Sequence, residues 1–497
     1  MTRRVPDPLP EPLITEIPRH VLPADPADDP MPWVAAFADC RGLVFLDSAL
    51  RHETLGRYSF IAADPIHRVR ASGEAVEIDG ARFAGAPFDA LADLLQRYPL
   101  AQVPGMPPFQ TGLAGVFGYG LRHWVEAVPP HGRRDHGFPD LDFGFYDLVV
   151  AIDHLERRAF VFASGYPEVE PAARQARAEA RTRWALARLE RSPSLPRLSW
   201  SIAAQPDLDP GRYRDMVRRT IDYIVAGDIY QANITQRFQA PLPPDSCNGG
   251  FRNEGIGRLA LYEALRRHNP ATFAAYLDFG ATAVLSSSPE RFLKVADRMI
   301  ETRPIKGTRP RGRTAGEDAA LAQELLASQK DRAENLMIVD LLRNDLGRAA
   351  KLGSVKVPVL NGLESYATVH HLVSVVTAEL AEGLGPVDLM RVAFPGGSVT
   401  GAPKIRAMEV IAELEPTARG PYCGAIGYLS CGGAMDTNIV IRTLLIDHDR
   451  ISFQVGGGIV ADSDPEAELQ ESLVKARALI ATLAGDGAAA LPKQATR

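Results

Sequence analysis

Apolar and polar positions along this chain follow two different periods, and the periods divide it. From about 31 to 165, short runs rich in β-branched and aromatic residues recur between turn residues: LVFLDS (43–48), YSFIAADP (58–65), AVEID (75–79), DLVVAIDH (147–154) and AFVFAS (159–164). That spacing predicts a strand-rich region with one helix near 88–98. Residues 168–190, dense in Ala, Arg and Glu, predict a helix. RSPSLPRLSW (191–200) then reads as a connector. A second stretch opens near 207, where Asp209 is placed to cap a helix and Pro210 to start it. Apolar residues follow at 213, 216/217, 220/221 and 224/225, and Gly227 ends the run. Strands are predicted at 272–278, 282–287 and 291–296, then a helix over 315–348 broken once, and a last helix at about 465–483. Residues 1–30, rich in proline and aspartate, read as a poorly ordered leader, and 484–497 as a frayed tail. Two regions result, 31–200 and 207–483.

At 497 residues the chain predicts two or three domains or one large intertwined one. A hydrophobic share of 46% with 23% charged residues is that of a soluble globular protein. The net charge of -6 argues against a nucleic-acid binder and leaves room for a local cationic pocket. Cys40, Cys247, Cys423 and Cys431 form no C-x-x-C pair or zinc spacing, which fits a reducing compartment. The N-terminus has no apolar signal core, and no run of about 18 apolar residues spans a membrane. The expectation is a cytoplasmic protein.

Several constellations have chemical potential. Asp331 and Glu334 are three apart on one predicted helix, as are Glu468 and Glu471 on another, so each pair shares a face. Facing carboxylates suit a hard cation such as Mg²⁺, and two solvated faces are the competing reading. Glycine clusters at 396–397, before Ser398, and at Gly456, Gly457 and Gly458 suit either an anion-binding loop or a tight turn. Neither matches a nucleotide-binding fingerprint. Arg442 lies in an apolar strand-like run, NIVIRTLL, and an inward arginine needs an anionic partner. Of His370 and His371, at most one lines a given site, because adjacent strand residues face opposite ways. Glu290, after a proline at a strand entry, is a turn residue or a general acid. In TRPIKGTRPRG (302–312), Lys306 stands where a strand runs into a loop, close in sequence to Arg303, Arg309 and Arg311. A phosphate grip, a solvated basic turn and an activated nucleophile all compete there.

The joint order of SPERF, TRPIKGTRPRG, KDRAENLMIVDLLRNDLGR, VHHLVS, FPGGSVTGAPKIRAMEVI, CGAIGYLS, DTNIVIRTL and GGGIVADSDPEAELQE resembles the chorismate-utilising enzymes over roughly 208–480. FLDSALRHETLGRYSFIAADP adds a weaker match to the N-terminal region of the aminating members. The resemblance implies an α+β fold of two large packed antiparallel sheets with outer helices. It implies Mg²⁺ held directly by Glu334 and Glu471, with Asp331 and Glu468 acting through water. Arg442, Gly456–Gly458 and Tyr422 would grip the enolpyruvyl carboxylate and Lys475 the ring carboxylate; Ser398 and His371 would lie near the ring. Glu290 would protonate the departing C4 hydroxyl. Gln231 stands where water-using members carry a lysine, which argues against those members, and Asn233 resembles the aminodeoxychorismate synthase pattern. So does Lys306 in P-I-K-G-T, where anthranilate synthases have a small residue. A lysine amine there can add at C2 and let ammonia replace the C4 hydroxyl with retention. It must be neutral, and burial with the nearby arginines is expected to lower its pKa. The chain carries no glutaminase nucleophile turn, which implies a separate glutamine amidotransferase subunit and a separate downstream lyase. Ser48, Asn269 and Phe273 partly match a tryptophan pocket, regulatory or vestigial.

Overall fold

The computed structural model describes residues 9–17, 28–51, 55–191, 193, 195, 199–243, 256–366 and 369–485. Among these, two twelve-stranded sheets built of antiparallel pairs form the centre. Both early and late parts of the chain enter each sheet. In the first, Leu43–Asp47 pairs with Phe273–Asp278. In the second, Gly112–Phe117 pairs with Ala425–Ser430. The stretches before and after residue 200 therefore share both sheets rather than folding side by side.

The sheets pack face to face. Val44, Phe60, Val149 and Leu277 of the first meet Val116, Ile426 and Tyr428 of the second, with Phe60 edge-on to Tyr428 at 5.5 Å. Helices cover the outer faces: Ile256–His268 and Pro465–Ala484 lie on the first sheet. Pro87–Arg97, Gln329–Gly347 and Pro386–Ala393 lie on the second. A strand covered on both faces has no polar side to show, which is why Leu148–Asp153 is buried at every position. The α+β class and the layering agree with expectation.

Local signals hold where a cap or breaker fixes them. Asp209 accepts from the Arg212 N–H at 3.1 Å and caps Pro210–Val225, and Gly227 stops it at φ +84°. The helix predicted over 315–348 is broken at Ser328, whose hydroxyl accepts from the Asp331 N–H at 3.2 Å to start the second segment. Two departures stand out. Within the proline-rich leader, Leu13–Glu16 is a strand on Arg158–Ala163 and Ile17 is buried. Four residues without proline suffice for an edge strand. Helix Ile256–His268 carried no clear apolar stripe, because it is buried nearly all round, with Arg258 paired to Asp278 at 2.9 Å. Residues 1–8 and 18–27 of the leader, and 486–497 of the tail, lie outside the described residues.

Candidate active site

Lys306 belongs to strand Ile305–Pro310, paired with Val369–Glu379. It is the second residue of a strand, not the end of one. The register skips between Lys306, opposite Leu372, and Thr308, opposite His371. Gly307 is the extra residue, with φ +76°. A Cβ there would lie 2.8 Å from Leu325 Cδ1 and 3.0 Å from Asp331 Cβ, so only glycine makes the bulge. The bulge separates Lys306 from the Thr308–His371 pair on the same two strands.

Lys306 is half-buried as a residue, yet its amine is crowded by protein. Burial lowers its pKa most, against the pull of Glu334 and Glu290, and Lys475 adds to the lowering. The three arginines near it in sequence do not contribute as expected. Arg303 pairs with Glu364. Arg309 pairs with Glu324 at 2.7 Å and Asp331 at 3.3 Å, and Arg311 with Asp318 at 2.7 Å. Each is neutralised by its own carboxylate, so the cation that matters is Lys475 on helix Pro465–Ala484. Glu290, between strands Thr282–Ser288 and Arg291–Ala296, is buried, and burial lifts its pKa to about 7. The side chain of Ser398, in the Gly397–Val399 turn, opposes the rise, as does the charge of Lys306.

The acidic pairs come from helices Gln329–Gly347 and Pro465–Ala484. Burial raises the pKa of Glu334, and the charges of Asp331 and Glu471 add to the rise. Glu468 is buried and raised likewise, although Ser463 Oγ donates to it at 2.7 Å. Burial also pushes Glu471 upward, but Lys475 at 2.7 Å outweighs it and leaves its pKa lowered. Lys330 acts on Glu334, Glu468 and Glu471 together, a contribution not foreseen because it precedes Asp331 in an ordinary charged run. Asp331 is engaged by Arg309. Among the described residues, no three His, Cys, Asp or Glu side chains stand in a metal-holding arrangement.

Arg442 is not inside a strand. The chain crosses from Met435–Asn438 in the second sheet to Thr443–Asp447 in the first, and Arg442 sits on that crossing at φ +53°. Its Nη1 donates to the Lys475 carbonyl at 3.3 Å. It makes no ion pair among the described residues, and burial lowers its pKa, with Tyr422 and Glu471 in its field. Gly456, Gly457 and Gly458 form neither loop nor turn. They lie in strand Arg450–Ile459 opposite Thr235, Ile234 and Asn233. Close approach demands glycine here: a Cβ at Gly456 would lie 2.1 Å from the Ile234 carbonyl oxygen. At Gly458 it would lie 2.1 Å from Gln231 Nε2, and at Gly457 3.0 Å from Glu468 Oε2. Lys475 donates to the Gly456 carbonyl at 2.8 Å.

Gln231, in strand Gln231–Pro241, is 1% exposed, and its amide nitrogen and oxygen have no hydrogen-bond partner among the described residues. Asn233, two residues on, is buried and its N–H donates to the Thr400 carbonyl at 2.8 Å. His371 shares a hydrogen bond with Thr308 Oγ at 2.9 Å, and burial lowers its pKa to about 4, so it is neutral. His370 faces the other way, between Ser365 and Asp318. Tyr422 is buried, which raises its pKa. Ser48 and Phe273 lie side by side, next to the Asp47–Ala274 pair of the first sheet. Ser48 donates to the Tyr58 carbonyl at 2.5 Å, and the Asn269 amide donates to Ser287 Oγ at 3.0 Å.

The profile described as chorismate binding enzyme matches residues 45–481. The chain belongs to the chorismate binding enzyme family. It is 41% identical over 430 residues to aminodeoxychorismate synthase component 1 of Salmonella typhimurium, spanning 85% of this chain and 89% of that one. It is 40% identical over 441 residues to anthranilate synthase component 1 of Thermus thermophilus, spanning 88% and 91%. Anthranilate synthase component I from Streptococcus pneumoniae superposes with a TM-score of 0.74 at 31% identity, over 87% of this chain and 94% of that one. The protein is thus an enzyme of the chorismate binding family, and the two-sheet fold is the family's.

Proposed function

We propose that this enzyme aminates chorismate at C4 to give 4-amino-4-deoxychorismate, in the cytoplasm, for 4-aminobenzoate and folate synthesis. The observation that carries the reading is the Lys306 amine, crowded by protein, with a lowered pKa and beside the buried acid Glu290. The neutral amine attacks C2, both ring double bonds shift by one position, and the C4–O bond breaks as Glu290 gives its proton to the leaving hydroxyl, which departs as water. Ammonia then adds at C4 and the lysine nitrogen is expelled from C2. Glu290, with a pKa of about 7, holds its proton near neutrality. Neutral His371 lies near the ring. Arg442 and Tyr422, beside the Gly456–Gly458 strand, receive the enolpyruvyl carboxylate: an unpaired, half-buried guanidinium is suited to an anionic ligand. Lys475 serves the ring carboxylate, and the orphaned Gln231 amide, with Asn233, offers hydrogen bonds to substrate.

The charge of the paired helices supports a divalent cation. The Glu471 charge raises the proton affinity of both Glu334 and Glu468, a repulsion that a cation relieves. Glu334 and Glu471 would hold Mg²⁺ directly, and Asp331 and Glu468 through water. Bound there, Mg²⁺ neutralises the ring carboxylate of chorismate. The relatives' designation as component 1 supports a partner subunit, which we assign as the glutamine amidotransferase that supplies ammonia; a separate lyase consumes the product.

Anthranilate synthase is the second reading, favoured by the Thermus relative at 40% identity. Chromatography of the products formed from chorismate, Mg²⁺ and ammonium separates them. Aminodeoxychorismate is expected; anthranilate with pyruvate would overturn the proposal.

A further inference from the structure

Behind the site lies a buried ion pair that touches no reacting group in the reading above. Glu415 follows helix Lys404–Leu414 and Arg419 lies four residues on; both are buried. Arg419 Nε donates to Glu415 Oε2 at 2.9 Å and Nη2 to Oε1 at 2.7 Å, a two-pronged grip. The Thr235 N–H and hydroxyl donate to the same Oε1 at 2.9 and 2.8 Å, and His131 Nε2 stands 3.0 Å from Oε2. The guanidinium lies over the Tyr119 ring, 4.8 Å from its centroid.

The remaining donors of Arg419 go to backbone carbonyls beside the site. Nη2 donates to the Asn233 carbonyl at 2.6 Å and Nη1 to the Val399 carbonyl at 3.0 Å. Val399 follows Ser398, whose side chain acts on the Glu290 carboxyl and opposes the rise of its pKa. The Arg419 carbonyl in turn accepts from the Tyr422 N–H at 3.2 Å. Three separate segments carrying Asn233, Ser398 and Tyr422 thus converge on one guanidinium group and its own backbone. A lysine keeps the charge but cannot reach two carbonyls while holding a carboxylate with two bonds, because it lacks the planar fork.

We propose that Arg419, fixed by Glu415, is a positioning residue that sets Ser398, Asn233 and Tyr422 against the substrate and so aligns Glu290 for proton transfer. This rests on the reading of Glu290 and Ser398 as site groups given above. A misplacement of about 1 Å at the reacting centre costs on the order of 10²-fold in rate.

The test uses the full-length protein with chorismate, Mg²⁺ and ammonium, following chorismate consumption whatever the product. Arg419→Lys, shown to be folded by circular dichroism, is expected to lose about 10²-fold in kcat with a much smaller change in KM. Combined with Ser398→Ala, it should be no slower than the slower single variant, because both act on Glu290 through Ser398. Where Arg419→Lys does not fold, Thr235→Val removes one donor to Glu415 and should give a smaller loss with the same non-additivity. A folded variant with the wild-type kcat, or losses that multiply in the double variant, would overturn the proposal. Product identity is read separately: anthranilate would sink C4 amination and leave these rate ratios intact.

Discussion

Two clusters of buried charge in this protein follow opposite rules. Around Arg419 and Glu415 nearly every donor and lone pair is used. Although burial alone would raise it, the Glu415 carboxyl is held down at about 2 by Arg419 and His131. Around Lys306 the balance is left open. The Lys306 pKa is lowered and that of Glu290 raised, and among the described residues Arg442 has no paired carboxylate and the Gln231 amide no partner. A satisfied buried pair fixes structure, whereas unsatisfied groups cost stability and are retained where a ligand completes them. The first cluster is a brace, and the charges of the second are left unbalanced.

The largest break in the comparison is at Lys306. Lys306→Ala should abolish aminodeoxychorismate formation with ammonium, a bigger loss than any below, read by product chromatography. Glu290→Gln should lose about 10²–10⁴-fold, the usual worth of a positioned acid. In the wild type the rate should fall as pH rises through about 7, where Glu290 gives up its proton, and the variant should lack that limb.

The two buried arginines should separate by sign. Arg419→Met leaves Glu415 buried and unpaired and should cost about 3–5 kcal/mol, read by chemical denaturation. Arg442→Met removes a charge that has no ion-pair partner among the described residues, so stability should hold or rise. Its KM for chorismate should climb on the order of 10²-fold or more. The smallest effect is in the pH dependence of stability. Glu415, depressed from 4.5 to about 2, contributes stability above pH 4.5 that is lost as pH falls toward 2. Glu290, raised from 4.5 to about 7, does the reverse: its contribution is present below 4.5 and lost as pH rises through 7. Glu290→Gln should therefore be more stable than the wild type at pH 8, and Glu415→Gln less so.

Much of this was legible in the sequence where a local device fixes the outcome. Asp209 with Pro210, the Ser328 break and the glycine at 227 each set a boundary by their own chemistry. The acidic residues three apart, and Lys306 itself, stood out by type and spacing. What the sequence hid is set by distant pairing. The Gly456–Gly458 run looks like a loop until Gln231 and Ile234 press against it across the ladder. Arg442 looks like a strand residue until the chain is seen to change sheets there. Arg303, Arg309 and Arg311 look like neighbours of Lys306 because they are close in the chain, but each is turned to its own carboxylate. Arg419 does not stand out in the sequence, because an acid and an arginine four apart usually describe a solvated helix face.

The most direct measurement is peptide mass spectrometry of the enzyme mixed with chorismate and Mg²⁺ without ammonia and then quenched in denaturant. The account predicts a mass gain of chorismate less one water on the peptide carrying Lys306, absent from Lys306→Ala and discharged by added ammonium. No gain in an enzyme that makes aminodeoxychorismate, or a gain that survives the substitution, would contradict it.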